Sequence, residues 1–255
     1  MNRSDPSGAV VSAYAAVFEK LATATTGRTR RGPDGAVLAI SGAQIASLNA
    51  IISPAPEPST DEIAALAASE SPWELPWSIH VRGVPSPPVT ALAASHGLTR
   101  FTREPLMVRH PDQGLPPESG IDSLTVRPVS GDELDLYAGT VADGFEAPHE
   151  LFKVLTDPSL AEIDGMTFYL AELDGVPVGT GMTAVTGDLT GLFNITTLPA
   201  HRRRGYGRAI TLDMIRATFT TGAPTTYLYA SEMGEPVYTA AGFRTEEYLT
   251  VITGD

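Results

Sequence analysis

Residues 189–207 read LTGLFNITTLPAHRRRGYG, and how that stretch folds decides everything around it. Its first half is apolar and β-branched and stops at Pro199, the pattern of a strand with an enforced end. Its second half places Arg202, Arg203 and Arg204 before Gly205, Tyr206 and Gly207. Apolar residues at helical spacing follow: Ile210, Met214, Ile215 and Phe219. The first N–H groups of a helix lack internal partners and carry partial positive charge. Glycines there let an anionic oxygen approach the backbone, and arginines add forked donors suited to phosphate. Strand, arginine–glycine turn and helix together predict a pyrophosphate cradle. A solvated basic helix start is the plainer reading of the same letters.

Other phosphate loops do not match. No GxxxxGK[ST] string exists, and from Gly205-Tyr206-Gly207 the third position of a dinucleotide fingerprint falls on Ile210. What fits is [Q/R]-x-x-G-x-[G/A] at Arg202, Gly205 and Gly207. Two further elements accompany it: LFNITTLP at 192–199, and VYTAAGF at 237–243 with Val237, Tyr238, Gly242 and Phe243. In this order and spacing the three resemble the GNAT superfamily of N-acetyltransferases, over residues 124–252.

The resemblance implies an α/β fold of the α+β type, with a central mixed, mostly antiparallel sheet flanked by helices. It implies acetyl-CoA as cosubstrate and direct transfer of the acetyl group to a primary amine of a small molecule or peptide. An acetyl-CoA-binding sensor or scaffold without turnover is the alternative. By the same resemblance Thr196, Thr197 and Leu198 would meet the pantetheine arm. Arg202, Arg203, Arg204, Gly205, Tyr206, Gly207 and Arg208 would hold the pyrophosphate, and Tyr238 would stand near the thioester sulfur as general acid. Ser231 occupies a position where relatives often carry an asparagine that contacts pantetheine. A thiol titrates near ~8.5 and tyrosine near ~10, so full proton transfer from Tyr238 is uphill by roughly 2 kcal/mol and hydrogen-bond donation is the easier role. Many relatives carry a glutamate base early in the fourth strand. Here Gly191, Leu192, Phe193 and Asn194 stand there, none of them basic, which leaves Glu232 or a water relay. A solvated loop carboxylate is the plainer reading of Glu232, and a buried structural tyrosine that of Tyr238.

The chain has 255 residues, 42% hydrophobic, and no cysteine, which excludes disulfides, thiolate zinc sites and a cysteine nucleophile. MNRSDPSGAV at the start lacks a basic region followed by an apolar run. The most apolar window, 35–52, is broken by Ser41, Gln44, Ser47 and Asn49, so a cytoplasmic protein with no membrane partner is expected. Net charge is −13. From residue 121 onward 8 Lys+Arg stand against 19 Asp+Glu, or −11, with four of the arginines inside positions 202–208. Such a surface repels nucleic acid and favours a cationic amine acceptor. His149 and His201 lack metal-ligand spacing, so no metal is expected. Trp73 and Trp77, four apart, read as core or interface packing before acceptor-pocket lining.

Residues 110–123, HPDQGLPPESGIDS, have the composition of a linker. The expected organisation is 1–110 as a smaller α/β domain, similar to a degenerate GNAT copy without the arginine–glycine turn, then 111–123 as linker and 124–255 as the catalytic domain. A homodimer is compatible with this plan. Expected helices lie at 13–21, 61–69, 89–96, 130–145, 148–155 and 236–241, with another after the turn. Expected strands lie at 37–40, 43–52, 77–81, 101–109, 124–128, 166–173, 176–185, 189–197, 225–230 and 248–252.

Overall fold

The computed structural model describes residues 5–70, 73–118, 120–121 and 123–254. The first four residues of the leader reading, and Ser119 and Asp122 of the linker reading, lie outside them. In chain order the elements are α1 (Pro6–Ala24), β1 (Arg28–Arg31), β2 (Val37–Ile40), β3 (Asn49–Ile52), α2 (Thr60–Ala68), β4 (Ser78–Arg82), α3 (Pro87–Ser95) and β5 (Arg100–Arg109). They continue as β6 (Leu124–Pro128), α4 (Leu134–Phe145), β7 (Met166–Leu173), β8 (Val176–Thr186), β9 (Leu189–Thr197), α5 (Tyr206–Thr221), β10 (Thr225–Tyr229), α6 (Glu235–Ala240) and β11 (Arg244–Thr253). Two compact units result: Met1–Leu106 with Glu246–Asp255, and Met107–Thr245. The chain crosses between them inside β5 and returns inside β11.

In the first unit β1, β2 and β3 pair antiparallel in turn, and β3 then pairs parallel with β4. Relative to the expected 124–255 domain, the closing strand differs. Leu249–Thr253 of β11 pair antiparallel with Ser78–Arg82 of β4 and so count with the first unit. Arg82 fastens this unit by donating to both Asp5 oxygens, to Glu247 (2.9 Å) and to the Pro54 carbonyl (3.0 Å). The core gathers Leu38, Ile40, Ile51, Ile63, Trp77, Ile79 and Ile252. Residues 43–48 are not strand as expected. Buried Asn49 donates to the Ala43 and Pro76 carbonyls, each at 2.8 Å, while its oxygen accepts from Ser41 and Gly42 N–H groups. That web holds a loop where apolar residues alone suggested a strand.

In the second unit the sheet order is β10-β9-β8-β7-β6, antiparallel throughout except for the parallel β9–β10 pair. The Asp174-Gly175 turn has φ of 50° and 79°, the left-handed pair that a tight two-residue hairpin needs. Arg127 clamps the start of α4 to the sheet by forked bonds to Glu133 (2.7 and 3.1 Å) and to Glu172 (2.8 and 3.0 Å). Those bonds hold the Glu133 carboxyl well below the usual range, at about 2. The expected helix at 148–155 is a 3-10 turn, His149–Thr156, followed by another at Pro158–Glu162. Inside the linker span, the Pro116 carbonyl accepts from Arg216 of α5 at 2.7 Å and that of Gly114 from Arg109 at 2.6 Å. This part of the span is fastened to the second unit.

Candidate active site

Two strands that start as partners and then part company make the site. The parallel register of β9 and β10 runs from Leu189↔Thr225 to Gly191↔Tyr227 and stops there. The cause lies in β9. Its pairing with β8 shifts between Thr180 and Met182, so that Phe193–Thr196 span more residues than the partner strand, and Asn194 takes a left-handed φ of 49°. The bulge is bolted in place. Thr180 donates to the Asn194 carbonyl at 2.7 Å and shares a 2.7 Å hydrogen bond with Thr196, while Asn194 Nδ2 donates to the Tyr137 hydroxyl at 3.3 Å. A bulge increases twist and turns a strand aside. Beyond Gly191↔Tyr227 no further register partners join β9 to β10 among the described residues, and this is the opening.

Past the opening the chain reaches the arginine–glycine turn. Arg203 has φ 65° and Gly205 φ 85°, and α5 begins at Tyr206. The first backbone bond of α5 runs from Ala209 N–H to the Gly205 carbonyl, 3.0 Å, so the N–H groups of Tyr206, Gly207 and Arg208 have no helical acceptor. Left-handed residues alternating with a helix start aim successive N–H groups into one concavity, an anion nest. Arg203 and Arg204 are exposed and make no hydrogen bond or ion pair among the described residues. His201, beside them, is part-buried, and its Nδ1 lacks a partner among the described residues. Open N–H groups, two uncommitted guanidinium groups and a free ring nitrogen are what a pyrophosphate would complete. The residues present fit that group.

Arg202 does something else. Its Nε donates to the Thr197 carbonyl (3.2 Å), its Nη2 to the Gly144 carbonyl (2.7 Å), and its Nη1 pairs with Glu146 (2.6 Å). Glu146 is the left-handed cap of α4. Arg202 therefore ties the end of β9, the turn and the end of α4 together. Gly144 lets α4 come this close, since a Cβ there would sit 2.3 Å from Thr196 Oγ1. Neither Gly144, Glu146 nor Tyr137 stands out in the sequence, because each acts through a contact more than 50 residues away.

Across the opening lies the turn from β10 into α6. Ser231 is exposed and caps this turn: its Oγ accepts from Gly234 N–H (3.2 Å) and its carbonyl from Glu235 N–H (3.0 Å). Glu232 is exposed on the same turn. Tyr238 is part-buried on α6, with its ring edge-on to Phe243 at 6.1 Å. A Cβ at Gly234 would lie 2.8 Å from Tyr238 Cε2, so the glycine seats the ring. Burial pushes the Tyr238 hydroxyl up to about 12. The second unit thus holds Thr196 and Thr197 at the end of β9, Leu198 and the arginine–glycine turn just after it, and Ser231, Glu232 and Tyr238 on the turn and α6 that follow β10. His149 bonds Asp143 at 2.8 Å on the exposed surface, and Trp73 and Trp77 stack on each other in the first unit.

The model of the acetyltransferase (GNAT) family matches residues 137–243, from the tyrosine that meets the bulge to the phenylalanine that meets Tyr238. Residues 137–243 are a GNAT acetyltransferase domain. No curated protein matches the chain. Among solved structures, the GCN5-related N-acetyltransferase from Kribbella flavida is similar at 20% identity over 97% of this chain and 95% of its own, with a TM-score of 0.70. A functionally unknown conserved protein from Staphylococcus epidermidis follows the same fold at 12% identity over 89% and 94%, TM-score 0.64. The GCN5-related N-acetyltransferase from Sphaerobacter thermophilus is 19% identical over 73% and 62%, TM-score 0.52. At these identities the likeness speaks to the fold, a mixed α/β sheet flanked by helices. The acetyltransferase family, and with it the transferase class, rests on 137–243. No helix among the described residues is long and apolar enough to cross a membrane.

Proposed function

We propose that the second unit transfers an acetyl group from acetyl-CoA to a primary amine of a small molecule or peptide, by direct attack of the amine on the thioester. The observation that carries this reading is the end of the β9–β10 pairing at Gly191↔Tyr227, with the anion nest following β9 and Tyr238 following β10 in the chain. An extended pantetheine arm would lie along β9 beyond Gly191 toward Leu198, with its pyrophosphate at the N–H groups of 206–208 under Arg203, Arg204 and Arg208. Tyr238 donates a hydrogen bond to the sulfur as charge develops there. With a hydroxyl near 12, full proton transfer to a thiolate of ordinary pKa ~8.5 is uphill by roughly 5 kcal/mol, so the proton stays on oxygen. Glu232, exposed beside the opening, or water accepts the proton of the attacking amine. The −11 charge from residue 121 onward favours a cationic acceptor and disfavours nucleic acid. A cytoplasmic setting, with a homodimer allowed, suits these assignments.

We also read the first unit as a degenerate copy of the same plan. Its antiparallel β2–β3 and parallel β3–β4 pairs, with α2 between and α3 after, repeat the order of β8, β9, α5, β10 and α6. Where the second unit has RRRGYG, the first has APEPST at 55–60. There Ser59 Oγ accepts Glu62 N–H at 3.3 Å, and Asp61 and Glu62 occupy the first turn. A capped, acidic helix start repels an anion.

Release of thiol from acetyl-CoA in the presence of a primary-amine panel tests transfer. Amine-dependent release supports it; tight binding of acetyl-CoA with no release under any amine leaves the sensor reading instead.

A further inference from the structure

We propose that a cavity of about 520 Å3 in the first unit, walled by Trp73, Ile40, Leu75 and Ser69 and rimmed by Arg28, Glu70 and Glu74, binds a flat organic monocation. Its volume lies in the range of small-molecule sites. Three features select the ligand class.

The first is a fixed aromatic wall. Trp73 stacks on Trp77 with ring centres 4.0 Å apart and planes 7° apart, and Trp77 is in turn buttressed edge-on by His96 at 5.4 Å. The Trp73 indole N–H donates to the Ala67 carbonyl at 3.1 Å. These contacts orient the ring, which remains only part-buried against the core. A rigid, half-covered indole is the side chain best suited to receive a flat ring or a cation over its face.

The second is a surplus carboxylate. Glu70 is matched, because Arg28 donates to its Oε2 from Nε at 2.7 Å and Nη2 at 2.6 Å. Glu74 is exposed at the rim and makes no hydrogen bond or ion pair among the described residues. It acts on Arg28 only through space. With one guanidinium against two carboxylates, the lining carries one uncompensated negative charge. A ligand with a single positive group cancels it, and an anion does not.

The third is the apolar floor. Ile40 and Leu75 offer no hydrogen bond, and Ser69 spends its hydroxyl proton on the Leu66 carbonyl (2.7 Å), so the body of the ligand is apolar and its polar group lies at the rim.

Benzamidine is a suitable probe, with benzyl alcohol as its neutral and benzoate as its anionic counterpart. The chain has only two tryptophans, and both belong to this stack. Intrinsic tryptophan fluorescence of the full-length protein therefore reports on this stack, of which Trp73 lines the cavity. The expected result is a saturable change with benzamidine, a weaker response to benzyl alcohol and none to benzoate. Glu74→Gln, an exposed substitution that leaves the fold alone, should weaken benzamidine about three- to fivefold, the scale of one exposed charge contact. Glu118→Gln, a surface carboxylate of the second unit, should leave its affinity unchanged. The proposal is overturned if benzamidine only quenches linearly, as free tryptophan would be quenched. Equal binding of benzamidine and benzyl alcohol, or a benzamidine affinity that survives Glu74→Gln, overturns it too.

Discussion

Arg202→Ala separates the roles of three neighbouring arginines. Its side chain makes two charge-assisted bonds to the carbonyls of Thr197 and Gly144 and one ion pair with Glu146. The ion pair is well exposed, 36% and 60% for the two side chains, so it contributes well under about 1 kcal/mol. The two carbonyl bonds contribute about 1 kcal/mol each. Truncation should cost about 2 kcal/mol, a fall of roughly 5–8 °C in the melting temperature of a domain this size. Freeing the turn from the end of α4 should also raise the KM for acetyl-CoA about tenfold. Arg202→Lys should recover little, since an ammonium cannot reach three acceptors in one plane. Arg203→Ala and Arg204→Ala remove charges with no partner among the described residues. Each should leave the melting temperature within the spread of surface substitutions while raising KM in a salt-dependent way. Thermal melts and steady-state kinetics at two ionic strengths read both effects. If Arg202→Ala melts like the wild type and shares the salt-dependent KM shift of the other two, the bracing role is wrong.

Tyr238→Phe should lower kcat about tenfold or more with little change in KM, measured by thiol release; a rate within about twofold of wild type removes Tyr238 from the chemistry. Gly144→Ala brings a methyl against Thr196, which its bond to Thr180 holds in place, and should cost about 1–3 kcal/mol by denaturant titration. His80 is fully buried between Ser78 (2.8 Å) and Tyr14 (3.3 Å), and burial lowers its pKa from 6.5 to about 3. A depressed folded-state pKa means the unfolded chain takes up the proton first, so stability is full above about pH 6.5 and falls as pH drops toward 3. The loss reaches about 4–5 kcal/mol. His80→Gln should flatten that limb in urea melts across pH, and an unchanged limb would show that other groups set it.

Much of the second unit is legible in the chain because its signals are local. Residues 166–173 alternate, residues 189–197 are apolar and β-branched, they end at Asp174-Gly175 and Leu198-Pro199, and both strands fall where expected. The turn at 202–207 is legible for the same reason, since glycine, arginine and helix start act within one another's reach. The misses share a cause. β1, Arg28-Thr29-Arg30-Arg31, is exposed at every position, so no apolar alternation marks it. The loop 43–48 is held by Asn49 reaching to Pro76, and β11 pairs with β4, more than 150 residues earlier. Arg202 reads as a phosphate ligand until its acceptors at Gly144 and Glu146 are seen, and only folding brings those near.

The most direct test is thiol release from acetyl-CoA by the full-length protein, with and without a panel of cationic primary amines. Release that rises well above the amine-free rate, and falls for both Tyr238→Phe and the Arg203→Ala/Arg204→Ala pair, is the predicted result. A rate that no amine lifts above the amine-free level contradicts acetyl transfer by this site.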